Sequence, residues 1–179
     1  MRHIMHLFTS VKPKCTFETL NNINGERFEK CLELVTQWFT DEWGYIHDKD
    51  LTYDQAIAER KEYLSENTDR IHMVFYGRLI VGAFRIEDKE FEEVFSKKEL
   101  LKTSDIWFIY VDPAYRSLGA GRQMLQEIKR LSKEDMKANM VLLETLKPGL
   151  NHFYMSENAC VIGENFIESH PTDVLKIGL

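Results

Sequence analysis

The segment Val111-Asp-Pro-Ala-Tyr-Arg116-Ser-Leu-Gly119-Ala-Gly121-Arg122 holds the residue types and spacing best suited to chemistry. It joins a continuous apolar run, Ile106 to Val111, to a stretch from Gly121 to Lys133 whose apolar residues Met124, Leu125, Ile128 and Leu131 recur at helical spacing. A strand that turns into a helix presents unpaired N–H groups and the positive end of the helix dipole, and glycines let the backbone approach an anion closely. Arg116 adds a forked, permanent cation that matches phosphate oxygens better than a lysine does. The chemistry implied is the cradling of a phosphate or pyrophosphate. Two common loops of this kind do not fit. A Walker A loop needs Gly-Lys-Ser/Thr, whereas Gly121 is followed by Arg122-Gln123. A dinucleotide fingerprint needs a third glycine where Met124 stands. Arg122 reads equally as a further phosphate contact or as an exposed helix charge.

The elements that must position this loop are legible along the chain. From Glu26 to Trp43, Phe28, Leu32, Val35 and Phe39 fall at spacings that form one helix face, widened by Cys31 and Trp38. A second helix is predicted to start at Thr52, with Gln55 completing a capping box, and to run to about Ser65. Ile71 to Tyr76 and Leu79 to Ile86 flank Gly77-Arg78 as a hairpin. The charged segment Asp88 to Lys102 is expected to be partly helical. Ile106 to Val111 reads as a buried central strand, Met140 to Thr145 as another, and Asn151 to Asn158 as a short helix. Glu164 to Ser169 and Asp173 to Ile177 form a closing hairpin around His170-Pro171. Irregular chain is expected at Lys12 to Gly25 and Gly44 to Leu51, and a first strand near His3 to Thr9. The order αα, ββ, β, α, β, α, ββ describes an α/β domain with a mixed sheet.

At 179 residues the chain is long enough for one core and short for two, so residues 1–179 are expected to form a single domain. No apolar stretch approaches the roughly 20 residues that cross a bilayer, and the N-terminus lacks a secretory pattern, so neither a membrane partner nor a secretory signal is expected and the cytoplasm is the expected compartment. Cys15, Cys31 and Cys160 are odd in number and far apart, and the histidines are scattered, which argues against disulfides and against a metal site. A net charge of −6 disfavours a nucleic-acid partner, which needs a basic face, and suits a cationic acceptor.

Arg-x-x-Gly-x-Gly after a strand ending Val-x-Pro resembles the acyl-CoA pyrophosphate loop of the GNAT (GCN5-related N-acetyltransferase) superfamily. The upstream hairpin with Gly77-x-x-x-Val81-Gly82, the helix after the loop, the strand at Val141 and Asn151-x-Phe153-Tyr154 follow in that family's order, from about Glu26 to Leu179. The resemblance implies a GNAT fold, a mixed and mostly antiparallel sheet of about six or seven strands flanked by about four helices. It implies a transferase (acyltransferase) that moves the acetyl group of acetyl-CoA, a cosubstrate, directly to a primary amine of a small molecule. A protein or peptide N-acetyltransferase and a non-catalytic acyl-CoA sensor are the alternatives, and a homodimer is compatible with either. Acetyl-CoA is expected at Val111, Arg116, Ser117, Leu118, Gly119, Ala120, Gly121, Arg122 and Asn151, with the N–H near Val111 donating to the thioester carbonyl. Tyr154 matches the family's usual proton donor to the departing thiolate, and it also reads as a packing partner of Phe153. Asp105 matches a position often held by a catalytic carboxylate, while Glu144 and Glu87 remain open as the base. Trp43 and Tyr45 are candidates for an acceptor pocket; Trp38 fits the helix's core stripe better.

Overall fold

Apolar residues recurring every third or fourth position carry the first long helix past the expected end, because Phe39, Trp43 and Ile46 continue the same stripe. A computed structural model gives the fold, describing residues 13–47, 50–92, 100–146 and 148–179. Its elements are β1 (Thr16–Thr19), α1 (Gly25–His47), α2 (Tyr53–Ser65), β2 (Ile71–Tyr76), β3 (Leu79–Glu92) and β4 (Leu100–Val111). These are followed by α3 (Ala120–Glu134), β5 (Met140–Thr145), α4 (Asn151–Ser156), β6 (Ala159–Ile167) and β7 (His170–Gly178). The Thr52 capping box is present at the start of α2, with the Thr52 hydroxyl accepting from Gln55 N and the Gln55 side chain accepting from Thr52 N.

Three expectations are corrected. Lys12 to Gly25 contains β1, which is too short to show alternation in sequence but pairs with β2 and sets Phe17 against Phe84. Gly44 to His47 is helix, for the packing reason above. Within Asp88 to Lys102, the described residues 88–92 and 100–102 are strand: β3 and β4 pair through to Glu92 and Leu100, so backbone pairing overrides the helix-forming charged composition. The strand expected near His3 to Thr9 lies outside the described residues.

Among the described residues the strands form one seven-stranded mixed sheet in the order β1-β2-β3-β4-β5-β7-β6, flanked by four helices. Every neighbouring pair is antiparallel except β4 with β5. Period-two alternation splits the buried residues between the two faces. Val74, Phe84, Ile106, Val141, Leu175 and Ile177 pack with α3 (Met124, Leu125, Ile128) and with Tyr154 of α4. Met73, Phe75, Ala83 and Phe108 pack with α1 (Leu32, Val35, Phe39) and with Leu64 of α2. Each fully buried Leu, Ile or Met side chain in these layers contributes about 1.5–3 kcal/mol relative to exposure.

Candidate active site

β4 and β5 pair only from Thr103 to Ile106 and from Met140 to Leu143. Beyond that point β4 continues to Val111 alongside β3 alone, and β5 continues to Thr145 alongside β7 alone, so the sheet opens into a wedge. Ile106 to Val111 is therefore not buried throughout: Ile106 and Phe108 are, but Trp107 is half exposed and Ile109 to Val111 face the opening. The pairing shifts register between Arg85 and Ile86, leaving Trp107 as the extra residue of a β-bulge. The bulge resets the alternation, so that Ile106, Ile109 and Val111 belong to the α3 face while Phe108 and Tyr110 belong to the α1 face.

The same ladder fixes where the backbone of β4 points. Asp112 N donates to Val81 O at 3.0 Å, and antiparallel pairs alternate between bonded and unbonded, so the Gly82–Val111 pair turns the Val111 N–H and C=O away from β3 and into the wedge. Arg116 Nε meets that carbonyl at 3.0 Å. Gly82 is needed for the close approach: a Cβ there would lie 2.3 Å from the Tyr110 carbonyl oxygen.

From Val111 the chain enters α3 through a tight turn. Asp112 caps it by accepting from Ala114 N at 2.8 Å, and Ser117 (φ 67°) and Gly119 (φ 88°) take left-handed conformations. The first helical bond runs from Gln123 N to Gly119 O, so the N–H groups of Ala120, Gly121 and Arg122 have no partner within the helix and face the wedge at its mouth. Gly121 has a packing reason as well, since a Cβ there would meet the Phe153 ring of α4 at 3.3 Å.

A cavity of about 1430 Å³ fills the wedge. Val111, Arg116, Ser117, Gly119, Ala120, Gly121 and Arg122 line it, as do Tyr154, Asp105 and Glu144. Leu118 and Asn151 lie outside the lining. The Leu118 carbonyl accepts from the Tyr76 hydroxyl at 3.4 Å, and the Asn151 amide joins Thr145 of β5 to Asp173 of β7. Arg122 is engaged with Glu157 just past α4.

The three titratable candidates stand in different settings. Tyr154 is buried at 5% exposure beside Phe153, and burial pushes its phenol up to about 12, so it stays protonated across neutral pH. Asp105 pairs with Lys89 at 3.2 Å. Glu144 accepts from Asn165 Nδ2 at 3.1 Å and from Thr172 Oγ1 at 2.8 Å. Glu87 lies outside the cavity lining, held by Arg85 and by Arg70 at 3.1 Å. Trp38 is core, stacked on Tyr110, whereas Trp43 and Tyr45 line the cavity.

Several residues of the site carry no signal in the sequence. The Gln123 amide clamps the backbone on both sides of Lys14, accepting from Cys15 N at 2.8 Å and donating to Pro13 O at 3.0 Å, and this sets Lys14 in the lining beside the start of α3. Asn165 and Thr172 orient Glu144 from β6 and β7. All these contacts join residues more than 20 positions apart, beyond any local pattern. Among the described residues there is no cluster of His, Cys, Asp and Glu arranged to hold a metal, and no helix long and apolar enough to cross a membrane.

The fold is shared with solved acetyltransferases. Arabidopsis thaliana Naa50, in complex with a bisubstrate analogue CoA-Ac-MVNAL, aligns with a TM-score of 0.59 at 13% identity, covering 92% of this chain and 99% of that one. The Bacillus subtilis N-acetyltransferase YlbP, in complex with coenzyme A, aligns at 0.56 and 15%, covering 93% and 97%. Campylobacter jejuni N-acetyltransferase PseH aligns at 0.58 and 14%, covering 92% and 97%. No curated protein sequence matches the chain. The family model for the acetyltransferase (GNAT) family matches residues 32–155, more than half the chain, and takes in the wedge, the Arg116 loop and Tyr154. With the splayed β4 and β5 and the open helix terminus at their mouth, this match makes the chain a member of the acetyltransferase (GNAT) family.

Proposed function

We propose that the protein transfers the acetyl group of acetyl-CoA to a primary amine of a small molecule. The observation that carries this reading is the Val111 N–H, turned into the wedge next to the unpaired amides at the start of α3. Those amides, with Arg116, Lys14 and Arg122, suit the pyrophosphate and 3′-phosphate of a coenzyme A thioester. Acetyl-CoA supplies the activated acyl group, and Val111 N–H is a fixed dipole for the oxygen on which charge develops. As the C–S bond breaks and the N–C bond forms, the Tyr154 hydroxyl donates its proton towards the departing sulfur; the desolvation that raises the phenol also raises the basicity of a buried thiolate. The ammonium first loses one proton to a carboxylate of the acceptor side or to water, and the second proton, released from nitrogen once the N–C bond has formed, returns Tyr154 to its neutral form by way of water. A small acceptor is favoured over an extended peptide because Tyr45, near the end of α1 and in the cavity lining, meets His170 at the start of β7 with ring centroids 5.3 Å apart, which brings α1 and the β6–β7 hairpin together beside the cavity.

The reading is tested by calorimetric titration with acetyl-CoA and by thiol release in the presence of amines. Micromolar binding is expected. Arg116→Ala should weaken it by about 1.5–3 kcal/mol, the worth of a charge-assisted bond. Absence of acetyl-CoA binding would remove the transferase reading. Binding without thiol release for any amine would favour a sensor.

A further inference from the structure

We infer that the acceptor is a monocationic amine on a flat apolar body, an arylalkylamine in chemical class; the inference rests on the transferase reading above. Strand alternation places Asp105, Leu142, Glu144 and Val174 on the α1 face of the sheet, where α1 supplies Glu42, Trp43 and Tyr45 and the hairpin supplies Ile167. The wall there is apolar and aromatic: Trp43 and Tyr110 meet edge to face at 6.4 Å, and Tyr45, 54% exposed, lines the same cavity.

Three carboxylates reach this wall, and they are not equivalent. Asp105 is neutralised by Lys89. Glu42 is engaged within the protein. Glu144 is held at both oxygens by neutral donors, the Asn165 amide and the Thr172 hydroxyl, and no Lys or Arg among the described residues forms an ion pair with it. Its orientation is thus set while its full charge and one lone pair on each oxygen remain for a ligand. An ammonium is the matching group, and a single such carboxylate matches a single ammonium. A polyamine finds no second carboxylate left for its other ammonium on this wall, because Asp105 is paired with Lys89 and Glu42 is engaged within the protein, so the extra charge gains nothing there. Trp38 stacks on Tyr110 and Arg116 lies over it, so a planar body is met by Trp43 and the exposed ring of Tyr45, where ring contacts add to area burial.

The test compares 2-phenylethylamine, spermidine and a short peptide with a free N-terminus as acceptors at saturating acetyl-CoA. The expected kcat/KM for 2-phenylethylamine exceeds the other two at least tenfold. Glu144→Gln is expected to raise its KM tenfold or more, Glu144→Asp to restore part of that loss, and Tyr45→Ala to raise KM several-fold. All three variants should keep the acetyl-CoA Kd and the circular dichroism spectrum of the parent. Equal or better turnover of spermidine or peptide overturns the inference, as does an unchanged KM in Glu144→Gln. So does an absence of turnover with 2-phenylethylamine in protein that acetylates spermidine or the peptide. Loss of the transferase reading itself shows separately, as absent acetyl-CoA binding in the parent or as binding with no thiol release for any of the three amines.

Discussion

A single methyl group at position 82 would sit 2.3 Å from the Tyr110 carbonyl oxygen, well inside van der Waals contact. Gly82→Ala must therefore push β3 and β4 apart at the point where Val111 faces the wedge. The expected cost is about 1–3 kcal/mol in urea unfolding, the range for overpacking in a close-packed interior, with weakened acetyl-CoA binding in the same variant. Tyr154 raises a different residue-scale issue, because nothing in its packing requires the hydroxyl: it lies against Phe153, and burial alone raises its phenol to about 12. Tyr154→Phe should leave the unfolding midpoint nearly unchanged while kcat falls by about 10²-fold, the usual worth of a positioned proton donor. A stopped assay for thiol release together with a denaturation curve separates the two effects. The letters Arg116-x-x-Gly119-x-Gly121 announced an anion loop because glycine and arginine carry their chemistry locally. Lys14 carried no such announcement, since its place beside the loop depends on a glutamine 109 residues later in the chain.

At the scale of elements, the bulge at Trp107 decides which face each later residue of β4 serves. Arg85 holds this region from the α2 side. Its guanidinium lies over the Trp107 ring at 4.5 Å and the Tyr63 ring at 5.0 Å, and donates to the Tyr63 hydroxyl, Asn67 and Glu87. With the Arg85 side chain only 3% exposed, Arg85→Met would leave the Asn67 oxygen and the Tyr63 hydroxyl without that donor, at a cost on the order of 2–3 kcal/mol. Glu87 keeps Arg70, which limits the loss. Chemical denaturation measures it, and a cost below about 0.5 kcal/mol would show that the aromatic rings alone hold the bulge. The strand at residues 88–92 and 100–102, within the segment expected to be partly helical, belongs to this scale too. Its charged residues favour helix in isolation, but β3 and β4 are consecutive and paired, and extending an existing ladder outweighs the local preference.

For the whole molecule, stability should depend on pH through His72. This ring stacks on Phe84 at 4.8 Å in the layer under α3, and burial lowers its pKa to about 4 from the ordinary 6.5. The folded state resists protonation that the unfolded chain accepts, so between about pH 6.5 and 4 the unfolded state binds more protons and stability falls as the solution is acidified. The loss is on the order of 2–3 kcal/mol across that window. His72→Phe keeps the stack and removes the titration, so its unfolding free energy should lose less than the parent's between pH 7 and pH 4.5. Matching pH profiles for parent and variant would assign the acid sensitivity to other groups.

Periodicity and capping determined the helices, the first hairpin and the loop, because amphipathic spacing, Thr52 with Gln55, and Gly77-Arg78 act through neighbours in the chain, whereas the closing hairpin turns at Glu168-Ser169 and takes His170-Pro171 into β7. The family could be read from that order of elements together with one glycine-rich turn. Tertiary structure alone decided that the parallel β4–β5 pairing stops at Ile106 and Leu143 and that the Val111 amide consequently faces a cavity. It also decided that Asp105 is neutralised while Glu144 is held by Asn165 and Thr172 with its charge intact. Each of these is a contact between residues distant in sequence, and a carboxylate's environment is set by whatever the fold brings beside it. Most of the residues singled out from the sequence therefore line the cavity, whereas the surroundings of its carboxylates were not legible in the sequence.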